Sequence, residues 1–420
     1  MDPRLFAGPS AAAGPEPYAD HVARLGRLPS GAAAPAVIPV LEASGLLGRG
    51  GAGFPVGRKW RSVAGQASGA PVVLANGAEG EPLSSKDRTL IRLRPHLVLD
   101  GALLAADAIG ADRIALYLGS DRRDAQAPIR RALGERRERR DRRVAIDLVA
   151  APATYVAGEE SAAVHFVNDA DARPTVTPPR PYERGIGGRP TLVQNVESLA
   201  YAALIGRFGD GWFRELGRDA TPGSALVTIS GAARDGVREI EIGTTIGELA
   251  GEAGAGTAAR DRQAVLLGGY FGGWLSAERS WDVPLDPIAL RAAGSAFGAG
   301  VVAFLANDRC GVRATSRIMD YMAGQSAGQC GPCVFGLRAI ADATARLATG
   351  RPERDDLERI ERWSRQLAGR GACRHPDGAV GQLLSSLRVF GPEWEVHQRR
   401  RPCARENVAI APASSRAQVA

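Results

Sequence analysis

Short apolar runs alternate with longer amphipathic stretches through the first half of the chain. The runs at 71–75, 113–118 and 143–150 predict buried strands, while 36–46, 93–109 and the residues after Ser161 predict helices. The stretch 191–205 is also predicted to be a helix. Regular alternation of strand, loop and helix is typical of a parallel α/β layer whose ligand loops follow the carboxyl ends of the strands.

The pattern changes near residue 221. Strands are predicted at 224–229, 237–242 and 264–267, with a helix at 245–252, and from about 310 to 395 the pattern becomes helical. The sequence therefore predicts five regions: a flexible N-terminal segment (1–35), an α/β domain (36–220), a small β-rich domain (221–300), a helical domain (301–397) and a flexible tail (398–420).

Composition narrows the class of protein. The 420 residues carry a net charge of +7, but aromatic residues make up only 5%. A nucleic-acid-binding protein would concentrate cations and interleave them with aromatic residues, whereas the densest basic run, 135–143, alternates arginine with acids. We therefore expect no nucleic-acid partner. That run is interpreted as a solvated surface, with a docking surface for an acidic partner such as a ferredoxin as the alternative.

Apolar runs and cysteines bear on location. No run reaches the ~18–20 residues that span a bilayer, and the N-terminus lacks a signal-peptide core, so we expect a cytoplasmic protein without direct membrane insertion. Five cysteines in such a chain favour metal or redox chemistry over a disulfide framework.

The stretch 47–60, LGRGGAGFPVGRKW, contains five glycines and three cations. Glycine lacks a Cβ, so such a loop brings backbone N–H groups close to an anion. The chain has only two lysines, Lys59 and Lys86, and both lie in or beside glycine-rich motifs. Ammonium and guanidinium are not interchangeable at a tight site. We predict phosphate binding by this loop, with a structural turn as the alternative.

Cys330 and Cys333 form a C-x-x-C pair, and Cys373 lies in a glycine-rich turn further along. A thioredoxin-like dithiol would follow a hydrophobic strand, but the preceding residues 321–329 are polar. An iron–sulfur cluster commonly takes such a pair plus a remote cysteine. The cluster is the favoured interpretation, while zinc, a dithiol and structural thiols stay open. Cys403 is interpreted as incidental.

Six motifs then occur in one order, and together they carry a resemblance. They are GRGGAGFPVGRKW, NGAEGEP followed by KDR, YVAGEESA, GRPTLVQNVESLA, DVPLDPIALRAAGSAFGAG and SAGQCGPC with a remote Cys373. From about residue 40 to 397 the chain resembles the NADH-oxidising flavoprotein subunit of respiratory complex I and of NAD-linked hydrogenases and formate dehydrogenases. The resemblance implies an FMN-binding α/β domain, a β-grasp-like SLBB domain and a helical bundle that holds a 4Fe–4S cluster.

The resemblance also implies site residues. The FMN phosphate and ribityl chain would lie against Gly48, Arg49, Gly50, Gly51, Gly53 and Lys59. The flavin would also contact Asn76, Glu79, Asn195 and Ser198. The flavin and nicotinamide face would be lined by Glu81, Tyr155, Gly158, Glu159 and Glu160, of which Glu81 and Glu160 are assigned to catalysis. Phe54 is a cofactor contact or, alternatively, a core aromatic.

Departures from the family pattern affect dinucleotide binding. Ala78 stands where the family has an acidic residue, and Ser62 and Arg180 stand where the family has aromatic residues that hold the adenine of NADH. A guanidinium stacks on a base or binds a phosphate, so Arg180 is kept as a cofactor-binding residue, with a solvent-facing side chain as the alternative. We expect weaker use of NADH and acceptance of NADPH.

The cluster motif departs from the family as well. Ala327 replaces the family's first cysteine, which leaves Cys330, Cys333 and Cys373 as three thiolates where four are usual. Cys310 is a candidate fourth ligand. The alternatives are a three-cysteine cluster with a labile iron or an oxygen ligand such as Ser326, which would be 3Fe–4S if the fourth ligand is absent, and no cluster at all.

The function implied is electron transfer from NAD(P)H to FMN and then, one electron at a time, through the cluster to a ferredoxin-like or other iron–sulfur protein. Two alternatives remain at this point. One is reduction of NAD(P) driven by ferredoxin, and the other is a degenerate relay or scaffold subunit without dinucleotide turnover.

Overall fold

A computed structural model describes residues 2–28, 36–138, 144–401, 403 and 405. Its helices are α1 Tyr18–Leu25, α2 Val37–Ser44, α3 Val56–Ala64, α4 Lys86–Leu93, α5 Pro95–Ile109, α6 Arg123–Glu138, α7 Glu160–Asp169, α8 Val196–Arg214, α9 Ile246–Ala253, α10 Ala277–Ser280, α11 Pro287–Ala292, α12 Gly311–Gly324, α13 Arg338–Ala348, α14 Asp356–Leu367, α15 His375–Val389 and α16 Gly391–Gln398. Its strands are β1 Val72–Gly77, β2 Arg113–Gly119, β3 Ala145–Ala151, β4 Thr191–Asn195, β5 Gly217–Arg218, β6 Thr221–Pro222, β7 Ser224–Ser230, β8 Gly236–Glu241, β9 Arg262–Leu267, β10 Gly273–Ser276 and β11 Val301–Ala306.

The first sheet has the order β3-β2-β1-β4, and all of its pairs are parallel. Successive side chains of β1 enter opposite cores. Val73 and Ala75 pack in the core that contains α5 and α8, and Val72 and Leu74 pack in the core that contains α7. A parallel sheet covered on both faces explains why β1 is an uninterrupted apolar run. The predicted parallel α/β layer is confirmed.

The helix predicted at 191–205 was wrong over its first five residues. Thr191–Asn195 form β4, which pairs with β1, and α8 begins at Val196. The Asn195 side chain accepts hydrogen bonds from the backbone N–H groups of Glu197 and Ser198, which marks the true start of the helix. Pairing with a buried strand outweighed the local helical pattern.

The second sheet has the order β10-β9-β11-β7-β8, with β7 and β11 parallel and the other pairs antiparallel. Helix α9 covers one face, and the C-terminal helices cover the other. The strands predicted at 224–229, 237–242 and 264–267 are confirmed. Strand β11 lies beyond the expected domain boundary at 300, so that boundary would cut the sheet. We propose a boundary after Ala306 instead.

The C-terminal region is helical, as predicted. Helices α12 to α16 share a core that includes Met319, Leu337, Ile340 and Leu383. The same core takes in Leu266 of the second sheet, so the sheet and the helices are packed as neighbours. Among the described residues, every helix is too short or too polar to cross a membrane.

The N-terminal segment expected to be flexible is packed where it is described. Leu5 is fully buried, and the Arg94 guanidinium donates to the backbone carbonyls of Phe6, Ala7 and Pro9. The His21 Nε2 atom lies 2.7 Å from the Asp100 carboxylate. The expectation was therefore wrong for residues 2–28, and residues 29–35 lie outside the described part.

Two other expected surface segments contain packed residues. In the basic run, the Arg136 side chain is buried and donates to the His96 carbonyl, so this residue is not solvated; residues 139–143 lie outside the described part. In the expected tail, the Gln398 amide donates to the carbonyl of Glu353, and the Arg405 guanidinium lies 2.6 Å from Glu393. Residues 406–420 lie outside the described part.

Candidate functional site

The predicted ligand loops meet at the carboxyl edge of the first sheet. Strands β1 and β4 are neighbours, and Asn76 near the end of β1 is in register with Asn195 at the end of β4. The Asn76 side-chain amide donates to the Gly158 carbonyl over 2.9 Å, and its oxygen accepts from the Ala78 N–H. The loops that follow β1, β3 and β4 are thereby held together at one edge, the usual location of ligands in such sheets.

The glycine-rich loop lies on this edge. The Gly48 N–H donates to the Phe54 carbonyl over 2.9 Å and closes the loop, and α3 begins just after it. Gly51 and Gly53 have φ values of +111° and +66°, a region that other residues rarely adopt. A Cβ on Gly50 would lie 3.2 Å from the Asn195 Cβ. The loop backbone therefore lies against the end of β4, where a side chain at position 50 would crowd Asn195.

Arg49 does not place its charge beside the loop amides, contrary to the sequence-based expectation. Its side chain is only 5% exposed and turns inward, where the guanidinium donates to the Ser224 carbonyl over 2.9 Å and lies 3.9 Å from Glu197. Its backbone N–H donates to the Ser198 hydroxyl over 2.8 Å. Both Arg49 and Ser198 thus fix the loop to the protein interior.

A network of buried charged side chains lies beneath the glycine-rich loop, on the interior side of Asn195. The Lys86 ammonium lies 2.6 Å from Asp87 and 2.8 Å from Glu197, and the Asn195 amide donates to Asp87 over 2.7 Å. These partners raise the pKa of Lys86. The second lysine is therefore a structural cation. Sequence analysis singled out Lys86 but not Asp87 and Glu197. The only sequence signal for these two acids is that they lie in the KDR and NVES motifs.

Two predicted carboxylates cap helices. Glu79, at φ +48°, accepts from the N–H groups of Asp87 and Arg88 at the start of α4. Glu159 accepts from the N–H groups of Ser161 and Ala162 at the start of α7. Both side chains are engaged within the protein, and their first structural role is to hold helix starts at the site.

An ion-pair cluster of Lys59, Glu160 and Arg180 lies at the partly exposed side of the site. The Lys59 ammonium lies 3.0 Å from Glu160, and the Arg180 guanidinium lies 3.9 Å from the other oxygen of the same carboxylate. The structure thus brings together Lys59, Glu160 and Arg180, three predicted residues that are far apart in sequence.

Phe54 is 53% exposed, which rules out its interpretation as a core aromatic.

Glu81 is buried against aromatic residues. Its carboxylate accepts from the Tyr155 hydroxyl over 3.1 Å and from the Tyr270 N–H over 2.8 Å. Burial raises the pKa of Glu81 to about 7. Tyr155 also contacts the rings of Tyr321 and His375, which belong to the helical domain. Tyr270, Tyr321 and His375 were missed by sequence reasoning because their partners are distant in the chain.

A cleft separates the glycine-rich loop from the segment 287–298. It is lined by Gly48, Gly51 and Gly53 on one side and by Arg291 and Ser295 on the other. The second side lies in the DVPLDPIALRAAGSAFGAG motif, which sequence reasoning used for the resemblance without assigning it a role.

Cys330, Cys333 and Cys373 lie at the ends of helices in the C-terminal domain. Burial and the neighbouring thiols of Cys330 and Cys373 raise the pKa of Cys333 to about 12, although the nearby Ser326 hydroxyl acts to lower it. Within the described residues, these three thiols are not gathered tightly enough for a single metal ion. Spaced thiols with one neighbouring hydroxyl fit a multi-iron cluster better than zinc.

The structure separates Cys310 from this group, which argues against Cys310 as the fourth cluster ligand. Cys310 precedes α12, whereas Cys330 and Cys333 follow the other end of that 14-residue helix, about 20 Å away at 1.5 Å per residue. Cys310 instead lies beside His397 and Cys403.

Most of the chain matches known proteins. Residues 41–203 match the model of the Nuo51 FMN-binding domain, and residues 313–397 match that of the NADH-ubiquinone oxidoreductase-F iron-sulfur binding region. The chain is 33% identical over 379 residues to the second F subunit of the NADH-quinone oxidoreductase of Rhizobium meliloti, covering 87% of this chain and 90% of that protein. It is 29% identical to the HndC subunit of the NADP-reducing hydrogenase of Solidesulfovibrio fructosivorans, covering 87% of this chain and 77% of that protein.

A solved structure is also similar. The NAD⁺-reducing [NiFe]-hydrogenase in its air-oxidized state contains a chain that superposes with a TM-score of 0.80 at 29% identity. The match covers 94% of this chain and 66% of that one, so this chain spans just under two thirds of the hydrogenase chain.

Proposed function

The chain belongs to the family of NADH-quinone oxidoreductase F subunits, and from that membership we propose which residues hold its cofactors and where its electrons leave. It is an NADH-oxidising flavoprotein subunit with an FMN-binding domain and a 4Fe–4S-binding region. FMN exchanges electron pairs with a dinucleotide and single electrons with the cluster, and the protein supplies binding and orientation.

The FMN phosphate is proposed to lie against the backbone of residues 50–53, with Lys59 as its counter-charge, because the N–H groups of Gly48 and Arg49 already donate to Phe54 and Ser198. The observation that carries this proposal is the sharp turn of the loop at Gly51 and Gly53, with φ values of +111° and +66°, at the carboxyl edge of the first sheet. Because Lys59 is only partly buried and its partner Glu160 is partly exposed, its ammonium is able to turn toward an anion.

The nicotinamide is proposed to lie on the side of Glu160 and Phe54. Glu160 begins α7 next to the loops of the sheet edge, and Phe54 in the glycine-rich loop presents an exposed apolar face. Glu81, with a pKa of about 7, holds or releases a proton near neutral pH at the buried end of the site.

The cluster is proposed to be bound by Cys330, Cys333 and Cys373, with the Ser326 hydroxyl as the oxygen ligand in place of a fourth thiolate. Ser326 is supported by its position near Cys333 and by the position of Cys310 at the far end of α12. An oxygen ligand is harder than a thiolate and suits an iron that is more easily lost.

Electrons are proposed to leave through a surface beside Cys333 to an acidic ferredoxin-like or other iron–sulfur protein. Val334 and Phe335, which follow Cys333, are 41% and 75% exposed. The neighbouring segments 326–338 and 365–377 carry exposed arginines at 338, 365, 370 and 374. Arg338 pairs with Asp320 and Arg374 pairs with Asp377, so the excess positive charge comes from Arg365 and Arg370. A basic rim around apolar side chains steers an acidic partner.

Replacing Lys59 with alanine should weaken FMN binding by about 10- to 100-fold, because a charged hydrogen bond to phosphate is worth about 1.5–3 kcal/mol. The measurement is titration of deflavinated protein with FMN, followed by flavin fluorescence, together with NADH-dependent reduction of an artificial acceptor. Wild-type protein should release one FMN per chain on heating.

The matched control is Arg58→Ala, which removes an exposed cation from the neighbouring position of α3. Equal weakening by both substitutions would show that only the overall charge of the loop matters. Release of FAD, or failure of the wild type to take up FMN, would contradict the flavin assignment.

Replacing Arg180 with phenylalanine should raise the ratio of kcat/KM for NADH over NADPH by about three- to tenfold, because it removes a guanidinium able to bind the additional phosphate of NADPH, an interaction worth about 0.5–1.5 kcal/mol. That guanidinium lies 3.9 Å from Glu160. Steady-state kinetics with both dinucleotides measure the ratio. The control is Arg184→Phe, an exposed arginine of the same loop, and an unchanged ratio in Arg180→Phe would remove Arg180 from the site.

A further inference from the structure

A second group of metal-ligating side chains lies away from the cluster cysteines. The ligand atoms of Cys310, His397 and Cys403 all lie within 4.8 Å of one another, and no other described residues form such a group. Cys310 precedes α12, His397 lies near the end of α16, and Cys403 follows α16. Three separate segments therefore converge on one point at the opposite end of α12 from Cys330.

The imidazole of His397 is oriented as a metal ligand. Its Nδ1 atom lies 2.8 Å from the Leu347 carbonyl, an acceptor, so Nδ1 carries the proton. The other nitrogen, Nε2, then presents its lone pair and lies 3.4 Å from the Cys310 sulfur. Histidine ligands of metals commonly donate their second N–H to a carbonyl in this way, which fixes both tautomer and ring orientation.

The surrounding residues hold the two sulfur-bearing segments in place. The Arg313 N–H lies 3.5 Å from the Cys310 sulfur, and the Gly311 N–H donates to Glu393 over 2.9 Å. Arg405, two residues after Cys403, lies 2.6 Å from the same Glu393 carboxylate. Glu393 thus joins the start of α12 to the segment that carries Cys403.

We propose that Cys310, His397 and Cys403 bind one Zn²⁺ ion, which fixes the segment after α16 onto the start of α12. Zinc takes thiolate and imidazole ligands in tetrahedral geometry, and three protein ligands leave the fourth position to water. Binding releases the two thiol protons to solvent. Two thiolates and a neutral imidazole then balance the ion's charge, which suits a site where Cys310 and His397 are 1% and 2% exposed.

The test is metal and sulfide analysis of full-length protein purified anaerobically and supplied with zinc. Wild-type protein should hold about one zinc per chain in addition to iron and acid-labile sulfide. Cys403→Ser and His397→Gln should each lower zinc by at least tenfold while iron and sulfide stay unchanged. Cys373→Ser is the matched control and should show the reverse, with iron and sulfide lost and zinc kept.

A second measurement does not depend on how much zinc the protein retains through purification. With Co²⁺ in place of zinc, the wild type should show thiolate-to-cobalt charge-transfer absorption that weakens in Cys403→Ser. Cys403 is partly exposed, so this variant keeps the fold if His397→Gln does not. Three results would each overturn the proposal. They are a wild type that stays zinc-free after zinc addition, a Cys403→Ser variant that retains zinc, and a Cys310–Cys403 disulfide in anaerobic protein.

Discussion

Replacing Cys333 with serine should eliminate the iron–sulfur cluster, whereas replacing Cys310 with serine should leave it intact. Cys333 lies among Cys330, Cys373 and Ser326, and a three-thiolate site has no thiol in reserve when one is removed. Cys310 belongs to the separate group with His397 and Cys403. Iron and sulfide content and the EPR spectrum of reduced protein measure the outcome, and we expect a loss of at least tenfold only in Cys333→Ser.

Flavin content and NADH-dependent reduction of an artificial acceptor are the internal control, because the flavin loops lie in the first domain and should not be affected. Ala327→Cys restores the thiolate of the family pattern and should keep or raise the iron content. Loss of the EPR signal in Cys310→Ser at normal zinc content would return Cys310 to the cluster and contradict the three-cysteine assignment.

Replacing Glu81 with glutamine should remove a pH dependence of stability worth about 3 kcal/mol. Burial raises the pKa of Glu81 from its ordinary 4.5 to about 7 in the folded protein. The unfolded chain therefore loses this proton first as pH rises, so Glu81 favours unfolding progressively between about pH 4.5 and 7, at about 1.4 kcal/mol per pKa unit. Below that range the carboxyl is protonated in both states and the effect disappears.

Denaturant unfolding of wild type and Glu81→Gln at pH 5 and pH 8 measures this effect. The variant should be stabilised relative to wild type at pH 8 more than at pH 5, since glutamine still accepts from Tyr155 and the Tyr270 N–H without ionising. Glu278→Gln, an exposed glutamate of α10, is the control and should shift both values equally. An identical pH slope in Glu81→Gln and wild type would show that the buried carboxyl is ionised throughout.

Local patterns were enough to predict most elements. Apolar runs identified β1 and β2 because a parallel strand covered on both faces needs apolar side chains at nearly every position. Strand β3 lies at the sheet edge and includes the exposed Asp147, but its remaining residues still form an apolar run. The same reasoning failed for Thr191–Asn195, whose strand exists only because β1 is available beside it. The glycine-rich loop was recognisable because its glycines are a local requirement of the backbone.

The direction of side chains was not predictable in the same way. Arg49 was expected to face an anion, but the buried Glu197 and the Ser224 carbonyl, both far along the chain, attract its guanidinium inward. The pKa of Glu81 likewise depends on burial beside Tyr155 and Tyr270, which come from different domains. These interactions join residues whose sequence separation carries no information about distance.

The cysteines show most clearly which conclusions follow from the sequence and which require the tertiary structure. The sequence by itself identified Cys330, Cys333 and Cys373 as candidate cluster ligands, because the C-x-x-C spacing lies in consecutive residues and the family resemblance marks Ala327 as the place of a missing cysteine. Only the tertiary structure decided that Cys310 and Cys403 belong together with His397, since a rigid 14-residue helix separates Cys310 from the cluster while α16 returns the chain to its start. Helix length and packing, rather than spacing along the chain, assign each thiol to its site.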